Sequence, residues 1–375
     1  MVDLALKMVL HDKLRFFITV AGVAFAVTLV LVQGGLFVGI LDNATVTIEH
    51  LDADLWVTSK NTPNLDFVHD FPETYINRVR SNPSVERADN LILAFVNVAL
   101  PTGAQETAVV YALENFRRWG FPWNVVEGDV DDLRRGPNVF FDDSATSRFG
   151  PFAVGDHREV QGQRLEVIGR TKGAKSFTTT PLAFMDYDRA QSLVPDTLRG
   201  KTSYILVKLK PGVNIESARA ELRELLPYND VYTKADWASR SRGYWVKNTG
   251  IGFNMFLTVF LGCLVGVVVV AQTLYTSTME HIKEFGTLKA IGGSNGDIYK
   301  ILARQATLSA VIGFVLGAVP SFLLRPVVER AGLKLMIQPE LTVAVFVGTL
   351  VLCLVSAMVS FRKVAGIDPG LVFRG

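Results

Sequence analysis

The chain has 375 residues, of which 49% are hydrophobic, and its mean hydropathy is +0.28. This composition fits either two soluble domains or a protein that crosses a membrane several times, and the formal net charge of +2 does not distinguish the two classes. We find no internal repeat and no low-complexity segment, which excludes repeat architectures and disordered chains. The distribution of the hydrophobic residues decides between the two remaining classes.

Four long runs contain no charged residue, at 16–41, 248–279, 305–324 and 341–361. A helix needs about 20 apolar residues to cross the hydrocarbon layer of a bilayer, and globular cores do not contain four such runs. We therefore predict a membrane protein with four transmembrane helices and a large α+β extracytoplasmic domain between helices one and two. The first run is too long for the apolar core of a signal peptide, so we expect it to be retained.

The runs and their flanks divide the chain into predicted segments. These are a cytoplasmic amphipathic helix at 1–15, span one at 16–41, an external domain at 42–249, span two at 250–275, a cytoplasmic loop at 276–303, span three at 304–324, a short external loop at 325–340, span four at 341–361 and a cytoplasmic tail at 362–375. Lys and Arg residues flank the membrane ends, and the positive-inside rule then places both termini and the 276–303 loop in the cytoplasm. Arg325, Arg330 and Lys334 in the short external loop run against this rule.

Span one is rich in small residues, including Gly22, Ala26, Gly34 and Gly35. Small side chains let helices pack closely in lipid, so we predict that this face contacts other helices. Gln33 is the strongly polar residue of the span. An interhelical hydrogen bond is a better interpretation of Gln33 than a contact with substrate.

The external domain mixes predicted strands and helices, and the clearest unit is a β-α-β element at 204–233 whose helix is capped by Asn214. Residues 42–51 and 237–247 are compatible with helix, so we expect spans one and two to continue out of the membrane as stalks. Cys263 and Cys353 both lie within spans. The external domain must therefore be held together by its core and not by a disulfide.

The loop between spans two and three predicts a short exposed helix, a stop and a second helix. Apolar residues recur at every third position, namely Ile282, Phe285, Leu288 and Ile291. Gly292 and Gly293 then end the helix, and Ser294 with Asp297 starts the next one as a capping box. An apolar stripe on so small a loop indicates either a docking element or a hairpin that lies on the lipid headgroups.

The loop sequence E-H-I-K-E-F-G-T-L-K-A-I-G closely resembles the E-R-x-x-E-I-G-x-L-K-A-L-G signature of permeases of the FtsX/MacB-like (type VII) superfamily of ABC transporters. In that family the segment is the coupling helix, which enters a groove on the ATPase. The resemblance implies that ten residues form the coupling site. They are Glu280, Lys283, Glu284, Phe285, Gly286, Leu288, Lys289, Ala290, Ile291 and Gly292.

Other parts of the chain resemble the same superfamily. The start, A-L-K-M-V-L-H-D-K-L-R-F-F, resembles DevC-like permeases, which are associated with export of glycolipids or related envelope material. The order of elements in the external domain resembles the MacB-like arrangement of a porter part, here at about 52–139 and 202–234, with an inserted sabre-like part at about 140–201. The family implies mechanotransmission by a dimer with a second permease copy, a cytoplasmic ABC ATPase that binds ATP and Mg, a periplasmic membrane-fusion adaptor and a TolC-like outer-membrane channel.

Catalytic motifs do not fit this chain. There is no G-x-x-x-x-G-K-[ST] motif, so the chain does not hydrolyse ATP by itself. Residues 292–296 match G-x-S-x-G, but a nucleophile elbow follows a strand, and here a helix is predicted. The histidines and cysteines lack metal-ligand spacing. We therefore expect a non-catalytic permease subunit of the bacterial inner membrane, with no cofactor or metal of its own and no nucleic-acid partner.

Two alternatives from other functional classes stay open at this point. One is an FtsX-like signal transducer that transports nothing and switches a cell-wall hydrolase, although FtsX-type external domains are usually smaller. The other is a Lol-like lipoprotein extractor, whose external domain is of comparable size.

Overall fold

The computed structural model describes residues 13–174, 180–331 and 333–365. Most of the predicted amphipathic helix at 1–15 and of the tail at 362–375 lies outside the described residues. The chain folds into two compact units, Met1–Gly39 with Ile251–Gly375, and Ile40–Gly250. The first unit contains the predicted spans, and the second is the predicted external domain.

All of the described strands belong to the second unit. The α-helices are α1 (Lys13–Asn43), α2 (Val46–His50), α3 (Ile76–Arg80), α4 (Thr146–Phe149), α5 (Tyr187–Leu193), α6 (Pro195–Leu198), α7 (Ile215–Leu225), α8 (Lys234–Lys247), α9 (Gly250–Glu280), α10 (Ile282–Ala290), α11 (Asn295–Leu323), α12 (Arg325–Arg330) and α13 (Pro339–Ala365). The strands are β1 (Leu55–Ser59), β2 (Phe71–Pro72), β3 (Val85–Ala99), β4 (Gln105–Leu113), β5 (Val125–Glu127), β6 (Asn138–Asp142), β7 (His157–Val160), β8 (Gln163–Thr171), β9 (Leu182–Asp186), β10 (Lys201–Thr202), β11 (Tyr204–Leu209) and β12 (Asn229–Thr233).

The prediction of four transmembrane helices is confirmed. Helices long and apolar enough to cross a membrane lie at Phe16–Asn43, Gly250–Glu280, Asn295–Arg330 and Pro339–Phe361. They extend beyond the uncharged runs because polar residues continue a helix readily once it has left the hydrocarbon. As a result, α9 passes residue 275, α11 begins well before residue 304, and α12 occupies part of the predicted loop at 325–340.

The two predicted stalks are not continuous extensions of the spans, which corrects that expectation. α1 ends at Asn43 and the short α2 begins at Val46, while α8 ends at Lys247 and α9 begins at Gly250. The first break has no clear signal in the sequence, whereas Asn248, Thr249 and Gly250 at the second are poor helix formers.

The first of these segments is part of the external domain and not a free arm. Ile48 and Leu51 are fully buried in the same hydrophobic cluster as Trp237 of α8. The guanidinium of Arg242 donates hydrogen bonds to the Thr45 hydroxyl and to Glu49. The helix-compatible sequence of residues 42–51 therefore forms a short helix that packs against α8, and it does not form a stalk.

The second unit is built on one ten-stranded sheet with the order β12-β1-β11-β3-β4-β9-β6-β8-β5, and β7 pairs with β3 and β8. The predicted β-α-β element is β11, α7 and β12, and the side chain of Asn214 caps α7 as predicted. β1 lies between β11 and β12 and is antiparallel to both. The β-α-β element is thus split by an intervening strand.

The two faces of this sheet are packed differently. On one face a single hydrophobic cluster extends from Trp56 of β1 to Phe184 of β9. On the other face there are two clusters, one under α7 with Leu222, and one with Phe141 and Met185 under α4 and α5. The predicted porter and sabre-like parts share a sheet and share core residues on both faces, because the cluster with Phe141 and Met185 also contains residues of β3 and β4 such as Ile92 and Val110. The approximate boundary at 139 and 140 falls inside β6.

An irregular segment, residues 60–70, crosses α8 and is called the strap below. The Leu65 N–H donates to Ser241 Oγ of α8 at 3.2 Å, and the Tyr204 hydroxyl donates to the Leu65 carbonyl at 2.8 Å. Arg240 Nε donates to the Thr62 carbonyl at 3.1 Å. These bonds hold the strap between the sheet and α8.

The strap buries a carboxyl group. Asp66 is 9% exposed, and among the described residues its Oδ2 atom has no hydrogen-bond partner. Burial raises the pKa of Asp66 to about 6, and the polar N–H of the Trp245 side chain partly offsets that effect. The folded external domain therefore disfavours the ionised form of this group.

Replacing Asp66 by asparagine should stabilise the external domain at neutral and alkaline pH. A carboxyl whose pKa rises from 3.8 to about 6 on folding favours the folded state below pH 3.8, and this contribution is lost as the pH rises through 6. Asp66→Asn cannot ionise, so its stability relative to wild type should increase by up to about 3 kcal/mol between about pH 4 and pH 8.

The measurement is thermal unfolding of the full-length protein followed by tryptophan fluorescence. All 5 tryptophans belong to the external domain, so the signal reports this unit alone. A difference between variant and wild type that does not change with pH would show that Asp66 does not ionise in the folded state as described.

Candidate functional site

The helix α10 lies between spans two and three, at the centre of the predicted coupling segment. It ends at Ala290, and Gly292 adopts a left-handed φ of +99°, which favours glycine. Ser294 then caps α11: its Oγ accepts from the Asp297 N–H at 3.2 Å, and its own N–H donates to Asp297 Oδ2 at 3.1 Å. The predicted helix, glycine stop and capping box are confirmed.

Phe285 faces inward, which corrects the prediction of an exposed apolar stripe. It is 2% exposed and belongs to the same hydrophobic cluster as Ile298 and Leu302 of α11, whereas Ile291 is 78% exposed. A helix turns by about 100° per residue, so a repeat of three residues falls behind by about 60° at each step. Positions 285 and 291 therefore point roughly 120° apart, and one of them packs inward while the other faces out.

Among the side chains of α10 that the structure describes, the exposed ones are polar. Glu284 and Thr287 are exposed along the helix, and Ile291 is the apolar residue at its C-terminal end. Glu284 is held by its neighbour His281, whose Nδ1 bonds to the Glu284 carboxylate. In the described part of this loop, Ile291 is thus the exposed aliphatic side chain, next to the polar Glu284 and Thr287.

The other predicted coupling residues have mixed positions. Glu280 is exposed, Gly286 is buried next to Phe285, and Lys289 is half-buried. The side chains of Lys283, Leu288 and Ala290 lie outside the described part of the structure, although their backbone belongs to α10.

The predicted small residues of span one lie against span two. A Cβ built on Gly22 would be 2.5 Å from Val269 Cγ1 of α9, and a Cβ on Gly266 of α9 would be 3.2 Å from the Ala26 Cβ. Contacts this close leave no room for larger side chains. α1 and α9 thus approach each other at two levels about one helical turn apart.

Span three approaches span one through glycines that the sequence analysis did not single out. A Cβ on Gly313 of α11 would be 2.6 Å from the Val23 Cβ, and a Cβ on Gly317 would be 2.5 Å from the Ala24 carbonyl oxygen. The Thr28 hydroxyl also donates to the Gly317 carbonyl at 2.9 Å. The spacing of four residues between these glycines is the small-xxx-small pattern of membrane helix contacts, which could have identified them.

The segment before span four packs on the outer part of span one. The Met336 N–H donates to the Gly35 carbonyl at 3.0 Å, and a Cβ on Gly34 would be 3.1 Å from Leu341. Gln33 is partly buried, but in the residues that the structure describes it forms no interhelical hydrogen bond. The interhelical hydrogen bond predicted for Gln33 is therefore not observed within one chain. The groups that pack on this part of span one, beside Gly34 and Gly35, are the apolar side chains of Leu341 and Leu335.

Two family models match the chain. One is described as the MacB-like periplasmic core domain and matches residues 16–225, and the other, the FtsX-like permease C-terminal, matches residues 256–369. The chain belongs to the FtsX/MacB-like family of ABC transporter permeases. This permease is a multi-pass protein of the inner membrane, and α10 falls within the second match.

Relatives of the permease are also named ABC transporter permeases. Uncharacterized ABC transporter permeases of Mycobacterium tuberculosis strains CDC 1551 and H37Rv are 25% identical to it over 376 residues, which covers 99% of each chain. An uncharacterized ABC transporter permease of Methanocaldococcus jannaschii is 24% identical over 235 residues, or 59% of this chain and 58% of the relative.

Solved structures similar to the permease include two external domains. The periplasmic region of MacB from Actinobacillus actinomycetemcomitans is 13% identical with a TM-score of 0.40, and the match covers 50% of this chain and 92% of that one. The extracellular domain of the noncanonic ABC-type transporter YknZ from Gram-positive bacteria is 16% identical with a TM-score of 0.37, covering 48% and 99%.

Substituting Gly39 of the permease should destabilise its membrane unit. A Cβ there would overlap the carbonyl oxygen of Lys334, and a backbone atom cannot rotate away as a side chain can. We expect Gly39→Ala to lower stability by about 1–3 kcal/mol. Gly348→Ala is the matched control, because no atom lies within 4 Å of a Cβ at that helical glycine. Heating in detergent followed by size-exclusion chromatography compares the two, and equal losses of monodisperse protein would contradict the packing argument.

Proposed function

We propose that this permease transmits the work of a separate cytoplasmic ATPase to its external domain and that α10 is the docking element. ATP and Mg²⁺ are bound by the ATPase in this scheme, and two ATPase copies act with a dimer of the permease. The basic residues that flank the spans support a cytoplasmic position for α10 and both termini.

The way in which α10 is fixed is the observation that carries this proposal. Phe285 anchors the helix in the core that includes Ile298 and Leu302 of α11, and the Ser294 capping box fixes the start of α11. A flexible loop would absorb a displacement, whereas close-packed side chains pass it on. A push on the exposed end of α10, at Ile291, is therefore passed to span three.

The composition of the spans supports movement of the external domain and not passage of a polar substrate through the chain. The amide side chains Gln33, Asn254, Gln272 and Gln305 are too few to line a polar cavity across the membrane. We propose an envelope lipid, glycolipid or other hydrophobic compound as substrate. A periplasmic adaptor and a TolC-like channel complete its path.

Replacing Ile291 by aspartate tests the docking role. Burial of an isoleucine side chain contributes about 1.5–3 kcal/mol, so Ile291→Asp should weaken association with the ATPase about tenfold or more. Phe285→Asp is unsuitable, because it would place a charge in the core that holds α10. Purified ATPase is titrated into the tagged permease. The ATPase activity that is recovered with the permease is then measured at each concentration.

Ile215→Asp is the matched control, since Ile215 is an aliphatic residue of the external domain that is 43% exposed. It should leave ATPase binding unchanged. Wild-type affinity in the Ile291→Asp variant would argue against α10 as the docking element.

A flexible insertion between Asn248 and Thr249 tests transmission to the external domain. Asn248 is exposed and lies in the break between α8 and α9, so a four-residue Gly-Ser insertion there should not disturb either core. Insertion after Thr45 is less informative, because Thr45 is buried and bonded to Arg242. We expect the variant to assemble and hydrolyse ATP but to lose export.

The same insertion after Thr102, in the exposed turn between β3 and β4, is the matched control and should preserve export. Normal export with the insertion at Asn248 would contradict mechanical transmission through this connection.

A further inference from the structure

A polar groove of about 520 Å³ lies on the external domain, beside α8. One wall is the turn of the strap at Asn61 and Pro63, and the other is the face of α8 that carries Arg240, Gly243 and Lys247. A Cβ on Gly243 would have no atom within 4 Å, so the lack of a side chain there keeps the groove open. The proposed coupling function does not use this groove.

Arg240 is held in a fixed position in the wall of the groove. Its Nε donates to the Thr62 carbonyl at 3.1 Å, and its guanidinium carbon lies 5.5 Å from the centroid of the Tyr232 ring. These contacts engage one nitrogen and one face of the planar group. The two terminal nitrogens stay available, and a guanidinium held in this way is preorganised to bind a phosphate or carboxylate group.

Lys247 supplies a second cation on the same face of α8, about two helical turns further along. In the part of the chain that the structure describes, no carboxylate oxygen lies within 4 Å of the charged nitrogens of Arg240 or Lys247. Their positive charge is therefore not neutralised within the chain.

Two carboxylates lie in or beside the groove: Asp236 is part of its lining, and Asp230 is bonded to Asn61 of the strap wall. Asp236 pairs with Arg219 at 2.5 Å. Asp230 Oδ2 accepts from the Asn61 N–H at 2.9 Å and from the Tyr232 hydroxyl at 3.2 Å. Both partners of Asp230 are uncharged, so Asp230 keeps its negative charge at the strap wall. The groups that can attract an anion are Arg240 and Lys247, on the face of α8.

The chain places this groove close to the membrane surface, because Gly250, where span two begins, follows Lys247 by three residues. Aromatic side chains lie at the rim: Phe67 of the strap is 48% exposed, and its ring centroid lies 5.7 Å from that of Tyr244. Aromatic residues favour the boundary between headgroups and hydrocarbon, and clustered Lys and Arg residues attract anionic lipids.

We propose that the groove between α8 and the strap binds a phosphate group, presented by the headgroup of an anionic membrane lipid. Arg240 and Lys247 contact the phosphate, and the exposed ring of Phe67 contacts the adjoining apolar part of the lipid. Lipid bound here ties α8 and the strap, the elements that lead into span two, to the membrane surface.

The test uses the full-length permease in an uncharged detergent, with unfolding followed by tryptophan fluorescence. Phosphatidylglycerol is the probe, diacylglycerol is a lipid without phosphate, and inorganic phosphate is the anion without lipid. We expect saturable stabilisation by phosphatidylglycerol and none by diacylglycerol. Arg240→Gln with Lys247→Gln should weaken the apparent affinity about tenfold or more, since each contact is a charge-assisted hydrogen bond.

Two further variants separate the site from general electrostatics and from misfolding. Lys172→Gln with Arg199→Gln removes the same charge from exposed positions elsewhere in the external domain and should leave affinity unchanged. Gly243→Leu fills the groove without changing charge and should weaken binding as strongly as the double substitution. Arg240→Gln also removes the bond to the Thr62 carbonyl that helps to hold the strap, so the lipid-induced shift of each variant is measured from its own lipid-free unfolding temperature.

Equal weakening by the Lys172 and Arg199 pair, or no effect of Gly243→Leu, would overturn the proposal. Inorganic phosphate that stabilises the wild type at the same concentration as phosphatidylglycerol would retain the anion site but overturn the lipid as its source. Absence of saturable stabilisation by either phosphate-containing probe would overturn the site itself.

Discussion

Close packing of helix backbones around span one is the constraint on which the membrane unit depends. Lipid tails are as apolar as valine or leucine, so burial of apolar surface does not drive spans together, and tight fit must do so. α1 achieves this fit through Gly22 against α9, through Gly313 and Gly317 of α11, and through Gly35 against the segment before α13. It therefore contacts every other span or the segment next to it.

This packing gives the proposed coupling a physical path. α10 is anchored to α11 by Phe285, α11 is packed and hydrogen-bonded to α1 at Gly317, and α1 leads directly into the external domain. Because the helices break after Asn43 and after Lys247, the proposed motion is not carried by continuous helical stalks. Motion passes through two short connections into α2 and α8, which share the core around Trp237.

Much of the architecture could be predicted from sequence because it depends on local chemistry. Hydrophobic length identified the four spans, and the Ser294 and Asp297 pair identified the start of α11. Which side of α10 is buried could not be predicted, because a spacing of three residues does not say whether Phe285 faces its own bundle or a partner. The inward position of Phe285 depends on Ile298 and Leu302, which lie in the next helix.

The remaining differences also arise from contacts between distant residues. The break at Ala44 and Thr45 is stabilised by Arg242, almost 200 positions away, and no local signal in a helix-compatible stretch reveals it. The order of predicted elements along the sequence indicated that the porter and sabre-like parts are separate parts of the external domain. The shared face from Trp56 to Phe184 exists because β9 pairs with β4 in the folded sheet, which element order does not specify.

In the proposed mechanism, nucleotide binding by the ATPase moves the external domains of a permease dimer. A single spin label at Ser147, an exposed position in α4, reports the separation of two copies in a dimer when measured by double electron–electron resonance. The account predicts that the distance distribution shifts when a non-hydrolysable ATP analogue is added to the complex of permease and ATPase, and does not shift when the ATPase is omitted. An identical distribution with and without the analogue, in a complex shown to contain bound ATPase, would contradict the account.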